Sequence, residues 1–323
     1  MFTARPRRNR KSDAIRALVQ ETRLHAADLI YPLFVTEKES SPIHSLPGTT
    51  RLSIVDLLKE IERALKLNIQ SIALFPVIDG DKKDLFGMEA LNPSHFHQKA
   101  LSRIKQEFPK ICLISDIALD PYTKHGHDGV IDEEGRVLND PTVEILAKMA
   151  VVHADAGADM VAPSDMMDGR VGAIRRALDA SGHSTVSIHA YCAKYASAFY
   201  GPFREALSST PKGDKRSYQM NPANSREALL EAQLDEAEGA DILMVKPAVH
   251  YLDIISKLKE VSKLPISAYH TSGELAMLLA AAERGWLDRD SALLETTMSI
   301  KRAGADMIFT YAAPRIAEML REG

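Results

Sequence analysis

Cysteine is almost missing from this chain. Only Cys112 and Cys192 occur in 323 residues, far apart, which leaves no disulfide framework and no cysteine cluster able to capture a metal. No apolar run approaches the roughly 20 residues that a bilayer-crossing helix needs. The net charge is only −4, so the body of the protein offers little attraction to a polyanion. One local exception is the N-terminal cluster Arg5, Arg7, Arg8, Arg10 and Lys11, but no apolar segment follows it and a secretory signal is not expected. These absences lead to the expectation of a cytoplasmic protein with no membrane and no nucleic-acid partner.

What is present is ample core material: 45% of residues are hydrophobic and 26% charged. The length suits either two ordinary domains or one large barrel. Residues 1–24 read as a basic arm with a short amphipathic helix, Ile15, Leu18 and Val19 on one face, expected to pack on a neighbouring subunit. Strand candidates follow at 29–35, 71–75 and 111–115, with helical spacing at 53–67 and 94–107. Two long polar loops, 79–92 and 120–140, interrupt them, and loops of that length are more often functional than idle. A repeat then appears. Gly157-Ala-Asp, Gly239-Ala-Asp and Gly304-Ala-Asp each stop a helix and open an apolar strand. Further strands are expected at 185–189 and 265–269, and helices at 141–155, 168–180, 223–237, 249–262 and 273–302. Eight strands alternating with helices, with no linker, predict a single (β/α)₈ TIM barrel over residues 25–323.

In such a barrel, chemistry collects at the C-terminal strand ends. Those ends carry Asp116, Ser164, Asp165, Lys194, Lys246, Tyr269, Ser272 and Tyr311. Lys246 is closed in by the apolar run 242–245 and by Pro247, so burial opposes its ammonium form, although a lysine at a strand end also snorkels. Two lysines in one mouth would act on each other. At roughly 5 Å and an effective dielectric of ~20, their repulsion is about 3 kcal/mol, or about two pKa units. Reaching pKa 7–8 from ~10.4 takes about three, so burial must supply the rest. A neutral lysine attacks a carbonyl to form an imine, and two such lysines suggest two carbonyl substrates.

Longer motifs sharpen this reading. Tyr191-Cys-Ala-Lys194-Tyr-Ala-Ser-Ala-Phe-Tyr-Gly-Pro-Phe-Arg204, Met244-Val-Lys246-Pro247, Ala162-Pro-Ser164-Asp-Met-Met-Asp-Gly-Arg170 and Gly213-Asp-Lys-Arg-Ser-Tyr-Gln-Met-Asn-Pro222 together resemble the porphobilinogen synthase (delta-aminolevulinic acid dehydratase) family, and the likeness covers nearly the whole chain. The resemblance implies condensation of two 5-aminolevulinate molecules to porphobilinogen, an early step of tetrapyrrole and haem synthesis, in a homo-oligomer, an octamer. It implies imines at Lys246 and Lys194 for the propionate-side and acetate-side substrates. Ser272 and Tyr311 then suit one substrate carboxylate, with Tyr269 beside them in the pocket. Arg204, Lys215, Arg216 and Gln219 would clamp the other carboxylate, while Asp116 and Ser164 hold the retained amino group. The segment 208–221 resembles an active-site lid.

The metal pattern departs from that of the zinc-using members, which carry three cysteines where this chain has Ala118, Asp120 and Asp128. No catalytic cysteine-bound zinc is therefore expected. Asp120 and Asp128 are instead candidates for a hard cation, and the neighbouring His125 and His127 are not expected to ligate zinc. The resemblance also implies a regulatory Mg²⁺ at Glu231, between subunits, with Asp168 in its outer shell. His270 and Thr271 replace the family's usual Gln and Val, with no role legible in the sequence.

Overall fold

The structure is a computed structural model that describes residues 3–208 and 213–322. The threefold Gly-Ala-Asp repeat shows how the barrel is assembled. Gly239 and Gly304 end their helices at φ 103° and 121°, a region that side chains with a Cβ rarely adopt. The aspartate that follows binds the preceding strand twice. Asp159 donates its N–H to the Leu113 carbonyl at 2.9 Å and accepts the Leu113 N–H at 2.8 Å. Asp241 does the same with Ile188, at 2.9 and 2.7 Å. Asp306 does so with Ile266, at 2.6 and 2.8 Å. The repeat is thus a register clamp that starts each strand beside its neighbour.

The strands in chain order are β1 (Leu29–Thr36), β2 (Ser41–Pro42), β3 (Thr50–Leu52), β4 (Ser71–Val77), β5 (Cys112–Ile117), β6 (Met160–Pro163), β7 (Ser187–Lys194), β8 (Ile242–Lys246), β9 (Ile266–His270) and β10 (Met307–Thr310). Among the described residues β1 and β4 to β10 pair in sequence order as parallel neighbours. Pairing of Leu29 with Ile308 and of Ile30 with Phe309 closes the circle, giving the expected (β/α)₈ barrel. Every residue of β1 and β8 is buried. Large side chains such as Phe34, Phe75 and Phe309 each contribute about 1.5–3 kcal/mol by leaving water.

Several boundaries differ from expectation. The fifth barrel strand runs on from 189 to Lys194 through a register shift between Ala190 and Ala193, so Lys194 ends the strand and pairs directly with Lys246. Asp116 lies within β5, not after it. The single helix expected at 273–302 is two, Ser272–Glu283 and Arg289–Ala303. Gly285 at φ 71° turns the chain between them, and the Asp288 carboxylate caps the second by accepting the Ser291 N–H at 2.9 Å. A small hairpin, β2 with β3, sits on β1 where a plain loop was expected. The arm carries a helix at Asp13–Leu18 with no buried residue, and Leu18 is 81% exposed. No described helix is long and apolar enough to cross a membrane.

Candidate active site

Because β7 and β8 end in register, Lys194 and Lys246 open on the same cavity. They are held very differently. Lys246 is buried, with Nζ 4.3 Å from the centre of the Tyr269 ring, 4.9 Å from Phe203, 5.2 Å from Tyr191 and 5.4 Å from Tyr200. Burial first, and the charge of Lys194 second, bring its pKa down from 10.5 to about 7. The ring faces pull the other way, since they attract an ammonium.

Lys194 instead stands in an ion pair with Asp128, 3.0 Å away, and donates to the Ser164 carbonyl. Lys194 does lower the Lys246 pKa, as expected, but the two buried amines differ in their partners: aromatic rings enclose Lys246, and a carboxylate pairs with Lys194. Asp128 also accepts Lys215 Nζ at 2.5 Å. Burial by itself would raise the Asp128 pKa, but the two ammoniums outweigh it and hold it below the ordinary carboxylate range. Asp116 goes the other way. Burial, then the charge of Asp120, lift it to about 7 against the pull of Lys194 and Lys246. Burial thus moves Lys246 down and Asp116 up towards neutral pH in one cavity, which suits the pair to passing a proton.

The rest of the cavity wall comes from Asp120, Ser164, Tyr200, Phe203, Arg204, Leu207, Lys215 and Gln219. Its free space is about 30 Å³. The hydroxyls of Tyr269 and Tyr311 are hydrogen-bonded at 2.9 Å, and Tyr311 stacks on Phe34. Ser272 Oγ accepts the Phe203 N–H at 3.0 Å, leaving its proton free to donate. Arg216 is not brought in: it pairs with Asp214 at the surface. Asp165 also stays outside, accepting the Met167 N–H at 2.7 Å, and burial lifts its pKa to about 6 against the charge of Arg170. Of the segment expected to be a lid, residues 209–212 lie outside the described residues, while 213–221 deliver Lys215 and Gln219.

The expected hard-cation site at Asp120 and Asp128 does not fit a metal. Lys215 bridges both carboxylates, at 3.3 and 2.5 Å, and Lys194 holds Asp128 from the other side, so protein ammoniums already neutralise the pair. The histidines brace the loop: His125 Nε2 lies 3.1 Å from the Leu85 carbonyl and His127 Nδ1 3.1 Å from the Tyr218 hydroxyl. Glu231 is a different case. It lines a separate cavity of about 550 Å³ with Asp168 and Glu227. Burial first, then the neighbouring carboxylates Asp235 and Asp168, lift its pKa to about 7 against Arg170. The wall also carries Arg136, Asn139, Met166, Met167 and Met220, but the carboxylates Asp168, Glu227 and Glu231 offer oxygen donors that suit a hard cation keeping most of its water. Among the described residues no three His, Cys, Asp or Glu side chains are grouped as direct ligands.

Sequence reasoning missed the aromatic enclosure of Lys246. Tyr191, Tyr200 and Phe203 all lie in the Tyr191–Arg204 motif, but which rings turn inward is set by tertiary packing. His270 and Thr271 now have physical roles. His270 Nδ1 meets Thr310 Oγ1 at 3.1 Å across the β9–β10 pair. Thr271 caps the helix Ser272–Glu283, its N–H donating to Glu274 at 2.8 Å.

Fold and site together define a (β/α)₈-barrel enzyme with its cavity at the C-terminal strand ends. A sequence model of the family described as Delta-aminolevulinic acid dehydratase matches residues 3–319. The delta-aminolevulinic acid dehydratase of Chlamydia pneumoniae is 55% identical over 327 residues, spanning 100% of this chain and 98% of that protein. The chloroplastic delta-aminolevulinic acid dehydratase of Physcomitrium patens is 55% identical over 99% of this chain and 75% of its own length. A crystal structure of the Toxoplasma gondii delta-aminolevulinic acid dehydratase (porphobilinogen synthase), in complex with its product porphobilinogen, superposes with a TM-score of 0.98 at 53% identity, covering 99% of this chain and 92% of that one. The chain belongs to the delta-aminolevulinic acid dehydratase family and is a lyase.

Proposed function

We propose that this chain condenses two molecules of 5-aminolevulinate into porphobilinogen, with loss of two waters, through imines at Lys246 and Lys194. The single observation that carries this reading is the register of β7 with β8, which sets both lysines at one cavity. Lys246, its pKa lowered by burial, attacks the ketone of the propionate-side substrate as the free amine, and Asp116 is placed to relay the proton released. Lys194, held by Asp128, takes the acetate-side ketone: two of its N–H protons leave with the ketone oxygen as water, and the iminium charge stays paired with the Asp128 carboxylate. The Ser272 and Tyr311 hydroxyls suit the carboxylate of the first substrate, and Arg204, Lys215 and Gln219 that of the second. Arg216 joins them only if the segment after 213 closes further. Lys215 and Gln219 stand in the cavity wall on the segment after 213, so movement of that segment admits substrate and its return excludes water from the imines.

Glu231, with Asp168 in the outer shell, would hold a hydrated Mg²⁺ whose charge offsets the carboxylate crowding; its part is regulatory and no chemical step passes through it. The N-terminal arm, residues 1–24, holds a homo-oligomer, an octamer. The enzyme works in the cytoplasm. The test is borohydride reduction in the presence of 5-aminolevulinate, followed by peptide mass analysis. Adducts at both Lys246 and Lys194 are expected. An adduct at one lysine only, with Lys194→Ala still active, would point to an aldolase-type lyase instead.

A further inference from the structure

The aromatic roof over Lys246 hangs on a very short element. The helix Gly201–Ala206 has six residues, too few to persist by itself, yet it carries Phe203 against Lys246 and Arg204 into the cavity. At its C-terminal end the Phe203 carbonyl accepts the Leu207 N–H at 3.1 Å and the Glu205 carbonyl the Ser208 N–H at 3.0 Å, while the carbonyls that follow depend on donors from outside the helix. Two cations from elsewhere meet them. Arg51, on β3, donates Nη2 to the Glu205 carbonyl at 2.5 Å and Nε to the Ala206 carbonyl at 2.8 Å. Lys83, in the loop after β4, donates to the carbonyls of Leu207 and Ser208 at 3.5 and 3.4 Å. Four successive carbonyls are thus capped by positive charge, where the helix dipole favours it. The Glu205 carboxylate closes the bracket by accepting the N–H groups of His44 and Ser45, at 3.1 and 3.2 Å.

Nothing in the chemistry of the cavity uses either cation. Lys83 is 93% buried by its 7% exposure, and among the described residues it forms no ion pair. A buried lysine spent on two backbone carbonyls is costly unless their placement matters. Arg51 is carried by the small hairpin that sits on β1, whose Phe34 in turn packs on Phe203 with ring centres 5.7 Å apart. The hairpin, the loop after β4 and the roof helix therefore form one contiguous body.

We propose that Arg51 and Lys83 are positioning residues of the active site, a bracket that fixes the helix Gly201–Ala206 and through it the Phe203 ring over Lys246 and the Arg204 side chain in the cavity. This rests on the reading of the cavity as the condensation site. It is tested with Arg51→Ala, Lys83→Met and the conservative pair Arg51→Lys and Lys83→Arg, in the full chain. Two readouts are taken: KM and kcat for 5-aminolevulinate, and the pH midpoint for reductive methylation of Lys246 by formaldehyde and cyanoborohydride, read by peptide mass. Misplacing Arg204 should raise KM about tenfold, with kcat changing less. Water reaching Lys246 restores its ammonium, so the methylation midpoint should rise by about one pH unit. Lys83→Arg, which keeps a donor, should restore both readouts. Unchanged KM and midpoint in folded Arg51→Ala and Lys83→Met would overturn the proposal. Loss of folding in both would overturn it too, since the residues would then serve general stability. Should the wild-type chain fail to consume 5-aminolevulinate, the reaction assignment falls while the methylation midpoint still decides the bracket.

Discussion

Replacing Lys246 with methionine should make the protein more stable, and by an amount that depends on pH. Folding lowers the pKa of this lysine from 10.5 to about 7. Between those values the unfolded chain binds a proton that the folded chain does not, so native stability rises with pH across the window. Below pH 7 the full cost of burying the amine is present, and above 10.5 it has vanished. A shift of that size corresponds to about 5 kcal/mol at pH 6, falling to about 2 kcal/mol at pH 9. Methionine matches the length of the lysine stem and sits well among ring faces, so Lys246→Met removes the cost without leaving a large cavity. The stability difference from wild type should shrink by about 3 kcal/mol between pH 6 and pH 9, read by urea unfolding at both. Asp116 titrates in the same range and feels Lys246, so the comparison is repeated in an Asp116→Asn background. Parallel stability curves for wild type and Lys246→Met in both backgrounds would refute the claim that the fold desolvates this amine.

Three further outcomes follow from the same geometry. Asp128→Asn strands the ammoniums of Lys194 and Lys215 and should lower stability by about 3–5 kcal/mol in urea unfolding, whereas an unchanged midpoint would mean the pair is solvated. Asp241→Ala removes one register clamp far from the cavity and should cost about 1–3 kcal/mol with KM for 5-aminolevulinate unaltered, so a kinetic effect without a stability loss would contradict the clamp. After EDTA treatment, activity should return with Mg²⁺ and show no preference for Zn²⁺, because ammoniums already hold the carboxylates of Asp120 and Asp128; zinc-specific recovery would overturn that reading of Ala118, Asp120 and Asp128.

The barrel was legible in the sequence because its punctuation is local. A glycine that must adopt positive φ and an aspartate that binds the next strand lie within three residues, so the clamp leaves a visible repeat. Lys246 was legible for a similar reason, its strand and its proline being adjacent. Lys194 was placed beyond its strand because the bulge between Ala190 and Ala193 breaks the alternation that marks strand ends. The partners of Asp128 were hidden by distance along the chain, Lys194 and Lys215 lying 66 and 87 residues away. Opposite charges there read equally well as a metal site until the lysines are seen to reach it. Arg216 illustrates the converse: the family resemblance implied that it shares a task with Lys215, but adjacent residues point apart, and Asp214 draws it to the surface.

A free amine at Lys246 near neutral pH is the claim on which the chemistry turns, and it is open to direct titration. Reductive methylation of the wild-type protein across pH 5.5–10, with the Lys246 peptide quantified by mass, measures the free-amine fraction at that nitrogen. A midpoint at about 7 is predicted for Lys246. A midpoint at the ordinary lysine value of about 10.4 would contradict the account.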